Sequence, residues 1–248
     1  MDHLFRTDHG NGVAEITLRR APVNALSAGF LMDFADLVGD MISDQSVRSV
    51  AISSDFKVFS AGLDLIEAQK FDLDAQNAIV KGLNVGFLSL FACPKPTVVA
   101  VNGAAIAGGL FFVLGSDFRL AAPNARFGLA EVRVGADFPV GPLEIARATL
   151  DANLLRSMML TGQPIDAEKA LAAGIVDEIV AEKHLKSAAI AQAAEMATLP
   201  PQTFASVKRQ IRGAVCDRIE RAMADGGNTP EGGWFNDETV AAMKQMIG

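Results

Sequence analysis

Three observations predict an α/β fold with a helical C-terminal region. Strand-like and helix-like stretches alternate from Val13 to Val180, several strand-like runs are short and apolar, and from Ala181 onward only helical spacing remains. The expected division is an α/β core over residues 1–185 and a helical region over residues 186–248.

The elements follow in order. His9-Gly10-Asn11-Gly12 is a turn signal leading into Val13-Ala14-Glu15-Ile16-Thr17-Leu18, whose alternation suits a strand with one buried face, so the chain opens with a hairpin. Apolar residues near helical spacing predict a helix from about Ala28 to Ser43, and Val47 to Ser53 reads as the next strand. A helix from about Leu73 to Phe91 is broken by Pro94-Lys95-Pro96, after which Thr97 to Val101 reads as a strand, a helix starts near Gly108, and Asp117 to Ala121 reads as a strand. Helical segments follow Pro142 to about Leu160 and run from Asp166 to Ala173, with Gly174 as C-cap before a short strand, Ile175 to Val180. Gly226 to Gly233 reads as a loop, and Trp234-Phe235 as the opening of a last helix with Val240, Met243 and Met246 along one stripe. That stripe needs a surface to cover, and both its own core and a second subunit fit.

Composition narrows the function. At 248 residues, half of them hydrophobic, the chain can bury a sizeable core. A net charge of −7 without clustered Lys and Arg argues against nucleic acid and favours a small-molecule substrate. The two cysteines, Cys93 and Cys216, are far apart and not in metal-ligand spacing, which fits a reducing compartment. The first residues, Met1 to Arg6, show no apolar signal segment, no stretch reaches membrane-spanning length, and Met246-Ile247-Gly248 is not a peroxisomal address. A cytoplasmic protein with no membrane partner is expected.

The chemistry is concentrated in two glycine-marked turns, Phe59-Ser60-Ala61-Gly62-Leu63-Asp64-Leu65 and Val101-Asn102-Gly103-Ala104-Ala105-Ile106-Ala107-Gly108-Gly109, and in a lone acid, Glu131. Glycine allows φ > 0 and close backbone approach, so each turn can present an unpaired N–H, and two converging donors form an oxyanion hole. Close packing of helix on strand would use the same glycines, and the pattern alone leaves both open. Neither a dinucleotide nor a P-loop glycine pattern occurs, and there is no G-x-S-x-G. His3, His9 and His184 read as surface residues. Asp64 and Asp117 read as backbone-bonding residues, Asn24 and Asn102 as turn stabilisers, and Cys93 as a buried small hydrophobe.

Read together, the two turns and Glu131 resemble the crotonase (enoyl-CoA hydratase/isomerase) superfamily over essentially the whole chain. Pro22-Val23-Asn24-Ala25-Leu26-Ser27, Asp117-Phe118-Arg119-Leu120-Ala121, Phe127-Gly128-Leu129-Ala130-Glu131 and Ala172-Ala173-Gly174-Ile175-Val176-Asp177-Glu178-Ile179-Val180 carry the likeness further. The resemblance implies a crotonase-like spiral of ββα units, with C-terminal helices that assemble subunits into a homotrimer or a dimer of trimers. It implies an acyl-CoA thioester as substrate and no separate cofactor, coenzyme A being part of the substrate. It places the oxyanion donors at the N–H groups of Leu63 and Gly108, with Ala61, Gly62, Asp64, Gly109, Phe111, Phe138 and Pro139 around the substrate.

Hydratases of this family carry two glutamates, one of them two residues after the Gly-Gly pair. Phe111 occupies that position here and can neither accept a proton nor hold water, which leaves Glu131 alone. One carboxylate suffices to move a proton from the carbon beside the thioester carbonyl to a carbon two further along. The chain most resembles the mitochondrial-type Δ3,Δ2-enoyl-CoA isomerases, and Pro139, eight residues after Glu131 where dienoyl-CoA isomerases place a second acid, argues against those. Asp137 reads as a solvated loop acid, with reach into the pocket as the other possibility. Leu129, Ala130, Phe138 and Phe111 are expected to raise the pKa of Glu131. Weak hydration, another acyl-CoA reaction and a non-catalytic acyl-CoA-binding subunit are the alternatives. Lys57, Lys70, Lys208 and Arg209 are candidates for the CoA phosphates.

Overall fold

The computed structural model describes residues 3–226 and 231–247. Gly227 to Pro230 of the predicted loop, and Met1, Asp2 and Gly248 of the terminal segments, lie outside the described residues.

The chain winds through repeats of a long strand, a short strand and a helix. β1 (Leu4–Gly10) and β2 (Val13–Leu18) form the predicted hairpin, turning through Gly10, Asn11 and Gly12 at positive φ. β3 (Ala25–Leu26) and α1 (Ala28–Ser43) complete the first unit, with the Ser27 hydroxyl accepting from the Phe30 N–H as N-cap. The second unit is β4 (Ser49–Ser54), β5 (Gly62–Leu63), α2 (Leu65–Ala68) and α3 (Leu73–Phe91). The third is β6 (Thr97–Val101), β7 (Ala104–Ile106), a 3₁₀ turn over Ala107–Leu110 and α4 (Phe111–Gly115). The fourth is β8 (Phe118–Ala121), β9 (Arg126–Gly128), a 3₁₀ turn over Glu131–Arg133 and α5 (Val140–Thr149). Next come α6 (Ala152–Thr161), β10 (Ile165–Asp166), α7 (Ala167–Ala172) and β11 (Glu178–Ile179). The chain closes with α8 (Glu182–Met196), α9 (Pro201–Ala224) and α10 (Thr239–Ile247). This is the α/β spiral of ββα units with a helical C-terminal region.

The long strands form one six-stranded sheet in the order β1-β2-β4-β6-β8-β11, parallel except at the β1/β2 edge. The short strands stack separately: β3 pairs with β5, β7 with β9, and β9 with β10. A bridge between Ser60 and Ala105 joins the first pair to the rest, with Ser60 N–H donating to Ala104 O and Ile106 N–H to Ser60 O, both at 3.0 Å. Successive units therefore bring the ends of β5, β7 and β9 side by side.

On one face of the sheet the core is aromatic: Phe34 and Phe87 meet Phe112 edge-on, with centroids 5.0 and 5.2 Å apart. The other face is covered by α8 through Leu185, Ala189 and Ala193. This corrects the one-faced reading of β2, all six of whose residues are buried. Glu15 on the α8 side remains charged-paired, accepting from Ser53 Oγ and bonding Lys186 Nζ at 2.8 Å. Residue 185, the expected division, falls inside α8.

The predicted last helix begins later than expected. Trp234 and Phe235 precede it, Phe235 bridging antiparallel to Ala136, and the turn into α10 is made by Asn236, whose Oδ1 accepts from Glu238 N–H at 2.9 Å. Met243 is buried against Ala68, Val134 and Ala136, so this segment packs on its own core. Val240 and Met246 remain substantially exposed.

Candidate active site

The ends of the three short strands surround a cavity of about 160 Å³, and the residues lining it include Ala61, Leu63, Gly108, Phe111, Glu131 and Pro139. Six of the ten residues placed around the substrate from sequence thus share one space.

The first turn is set by Gly62, whose φ of +81° disfavours any residue with a Cβ. A Cβ there would also lie 2.7 Å from Ile106 O. In the parallel pairing of β3 with β5, Asp64 N–H donates to Leu26 O at 3.0 Å, so the Leu63 N–H, one residue earlier, faces away from β3. The second turn is the 3₁₀ segment. The Gly108 N–H belongs to its first turn, where no intrahelical carbonyl is available to accept it. Ala107 holds φ +51°, a left-handed conformation unusual for alanine, at the point where the chain leaves β7.

Glu131 enters from the end of β9, at the start of its 3₁₀ turn. It is 8% exposed, and its Oε2 has no hydrogen-bond partner among the described residues. Burial pushes its pKa up to about 8, opposed only by a hydrogen bond from its own backbone. Among the described residues lining the cavity it is the one ionisable group. Phe111, nearly fully buried and packed on Phe87 at a centroid distance of 5.4 Å, forms part of the opposing apolar wall.

Four of the ten expected residues do not line the cavity. Gly62 lies behind it as the hinge of the first turn. Gly109 is packed against Ser60, where a Cβ would come 2.5 Å from Ser60 O. Asp64 instead N-caps α2 and pairs with Arg20 at 2.8 Å. Phe138 opens onto a neighbouring surface pocket, together with the exposed Asp137.

Asp117 is structural, as expected: Lys208 Nζ lies 2.7 Å and an Arg212 guanidinium nitrogen 3.0 Å from its carboxylate, which also accepts from Thr97. This removes Lys208 from the candidate phosphate ligands, since it is 6% exposed and committed to Asp117. Asn24 donates to Phe59 O and Asn102 to Phe56 O, and Cys93 is buried. The three histidines are exposed. No helix among the described residues is long and apolar enough to cross a membrane.

Sequence reasoning missed the cavity's other walls: Leu83 from α3, Val134 and Ala136 after Glu131, and Trp234 and Met246 from the C-terminal segment. Trp234 carried a signal, being the single tryptophan of the chain.

Residues 8–226 match the family described as enoyl-CoA hydratase/isomerase. The chain belongs to that family. It is 31% identical to human mitochondrial enoyl-CoA delta isomerase 1 over 87% of this chain and 72% of that protein. It is also 31% identical to a carnitinyl-CoA dehydratase of Citrobacter koseri, over 85% of this chain and 80% of that one. A probable enoyl-CoA hydratase of Mycobacterium tuberculosis is 30% identical over 81% and 77%. The crystal structure of human mitochondrial Δ3-Δ2-enoyl-CoA isomerase superposes with a TM-score of 0.90 at 28% identity, covering 99% of this chain and 96% of that one. The fold is that of the crotonase superfamily, and the protein is an enzyme of the enoyl-CoA hydratase/isomerase family.

Proposed function

We propose that the protein shifts the double bond of a 3-enoyl-CoA to give the 2-enoyl-CoA, with Glu131 as the single proton shuttle. The observation that carries this reading is the lone carboxylate of Glu131 in an apolar cavity, its Oε2 without a partner among the described residues, with Phe111 in the cavity wall where the resemblance to the family's hydratases places a second acid.

The Glu131 carboxylate takes a proton from C2 of the thioester. The electron pair left behind delocalises onto the carbonyl oxygen and into the C3–C4 double bond, giving a dienolate. The N–H groups of Leu63 and Gly108 stabilise the oxygen, and removing one such donor typically costs roughly 2.7–4 kcal/mol. Glu131, now protonated, returns the proton to C4, the oxygen's charge collapses back, and the double bond lies between C2 and C3. Its raised pKa suits both halves, because the carboxylate is a stronger base than an exposed one and its conjugate acid can still donate. Hydration would need a second group to hold and activate water, and Phe111 offers none.

The same reading takes coenzyme A as part of the substrate, with no further cofactor, in a cytoplasmic homotrimer or dimer of trimers. The substitution Glu131→Gln tests it: isomerisation falls by roughly 10²–10⁴-fold while a saturated acyl-CoA still binds. Retained isomerisation would remove Glu131 as the base.

A further inference from the structure

We propose that Trp234 limits the length of the acyl chain by acting as a partition between the apolar site cavity and a neighbouring surface pocket. The inference rests on the acyl-CoA reading of the cavity but not on the isomerisation step. Trp234 and Pro139 line the site cavity and also line a second pocket of about 380 Å³. Val80, Phe138, Val140, Leu143 and Phe235 make most of that second pocket apolar.

The indole is held on two sides. Its Nε1–H donates to Asp137 O at 3.0 Å, and its ring packs on Phe235 with centroids 5.4 Å apart. Phe235 is itself fixed, its N–H donating to Gln76 Oε1 at 3.0 Å and its ring stacked on Phe71. A ring anchored both to the Asp137 loop and, through Phe235, to α3 is a fixed part of the cavity wall and, on this proposal, its far end.

The volume translates that depth into carbon atoms. An apolar cavity of about 150 Å³ holds a six-carbon ring. The cavity of about 160 Å³ accordingly admits an acyl group of about six carbons. A longer chain must leave its end in water or displace the indole, whereas removing the indole joins the cavity to a surface pocket more than twice its size, where Val80, Phe138, Val140 and Leu143 offer the chain an apolar wall.

The test is calorimetric binding of the straight-chain saturated series from butyryl-CoA to dodecanoyl-CoA, esters that bind without turnover. For the unsubstituted protein the affinity rises about fourfold per methylene as far as hexanoyl-CoA and then levels off. For Trp234→Ala the rise continues to at least decanoyl-CoA, and for Trp234→Phe, which keeps a ring, the break stays near hexanoyl-CoA. Where Trp234→Ala does not fold, Trp234→Leu makes a smaller opening and moves the break to octanoyl-CoA. An unsubstituted protein whose affinity climbs through dodecanoyl-CoA, or a truncated variant with an unmoved break, overturns the proposal. Failure of every ester to bind overturns it together with the acyl-CoA reading. The expected breaks without any isomerisation of a 3-enoyl ester uphold the partition and remove only the isomerase assignment.

Discussion

Gly62 and Gly108 abut across two successive units of the spiral: a Cβ added at Gly62 would stand 3.1 Å from the Gly108 nitrogen. The two turns that carry the proposed oxyanion donors therefore share one backbone contact, and a change in either moves both.

Gly62→Ala is expected to damage activity more than folding. The new methyl would meet Ile106 O at 2.7 Å and the Ala107 Cβ at 2.8 Å, at a φ that alanine disfavours. Displacing one donor lowers kcat by roughly 10²–10³-fold. Steady-state kinetics beside thermal unfolding checks this; near-normal kcat in a folded variant would mean that the contact does not position the donors.

Glu131 gives the enzyme a pH signature. Only the ionised form is a base, so kcat/KM rises with pH and reaches half its plateau near pH 8 in the free enzyme. Stability runs the other way. The folded-state pKa is above the unfolded one, so the contribution of Glu131 is fully present below about pH 4.5 and is lost as pH rises through about 8. Glu131→Gln is therefore expected to gain stability relative to the unsubstituted protein as pH increases from 5 to 9. Denaturant unfolding at several pH values measures the difference, and a difference independent of pH would contradict the buried carboxylate with its raised pKa.

Asp117→Asn leaves Lys208 and Arg212 facing a neutral amide in a largely buried site. Breaking such a pair from one side costs about 3–5 kcal/mol, measurable as a lower denaturation midpoint. The cluster lies outside the cavity, so the KM of the folded fraction is expected to remain unchanged. A change below about 1 kcal/mol would show that the pair contributes no more than a surface one.

The legible parts of this molecule are those whose physics repeats along the chain. Apolar spacing predicts a helix from about Ala28 to Ser43 and a strand from Thr97 to Val101, where α1 and β6 lie. β3, β5, β7 and β9 are two or three residues long, too short to carry a period, and exist because neighbouring units pair. They are also what places the site. Its two glycine turns were visible because close backbone approach selects glycine, and Glu131 through family likeness. Trp234 reaches the cavity only by a long return of the chain, and the pairing of Lys208 with Asp117 likewise depends on tertiary contact. A linear pattern shows a charge without showing its burial, which is why Lys208 stands among four candidate phosphate ligands in the sequence.

The central claim is that one carboxylate in an apolar cavity moves a proton within the substrate and adds no water. Incubating the purified protein separately with trans-3-hexenoyl-CoA and trans-2-hexenoyl-CoA, and identifying the products by mass and chromatography, tests it most directly. The account predicts conversion of the first to its equal-mass 2-enoyl isomer and little water addition to the second. Efficient hydration of the 2-enoyl ester, without isomerisation of the 3-enoyl ester, would contradict it.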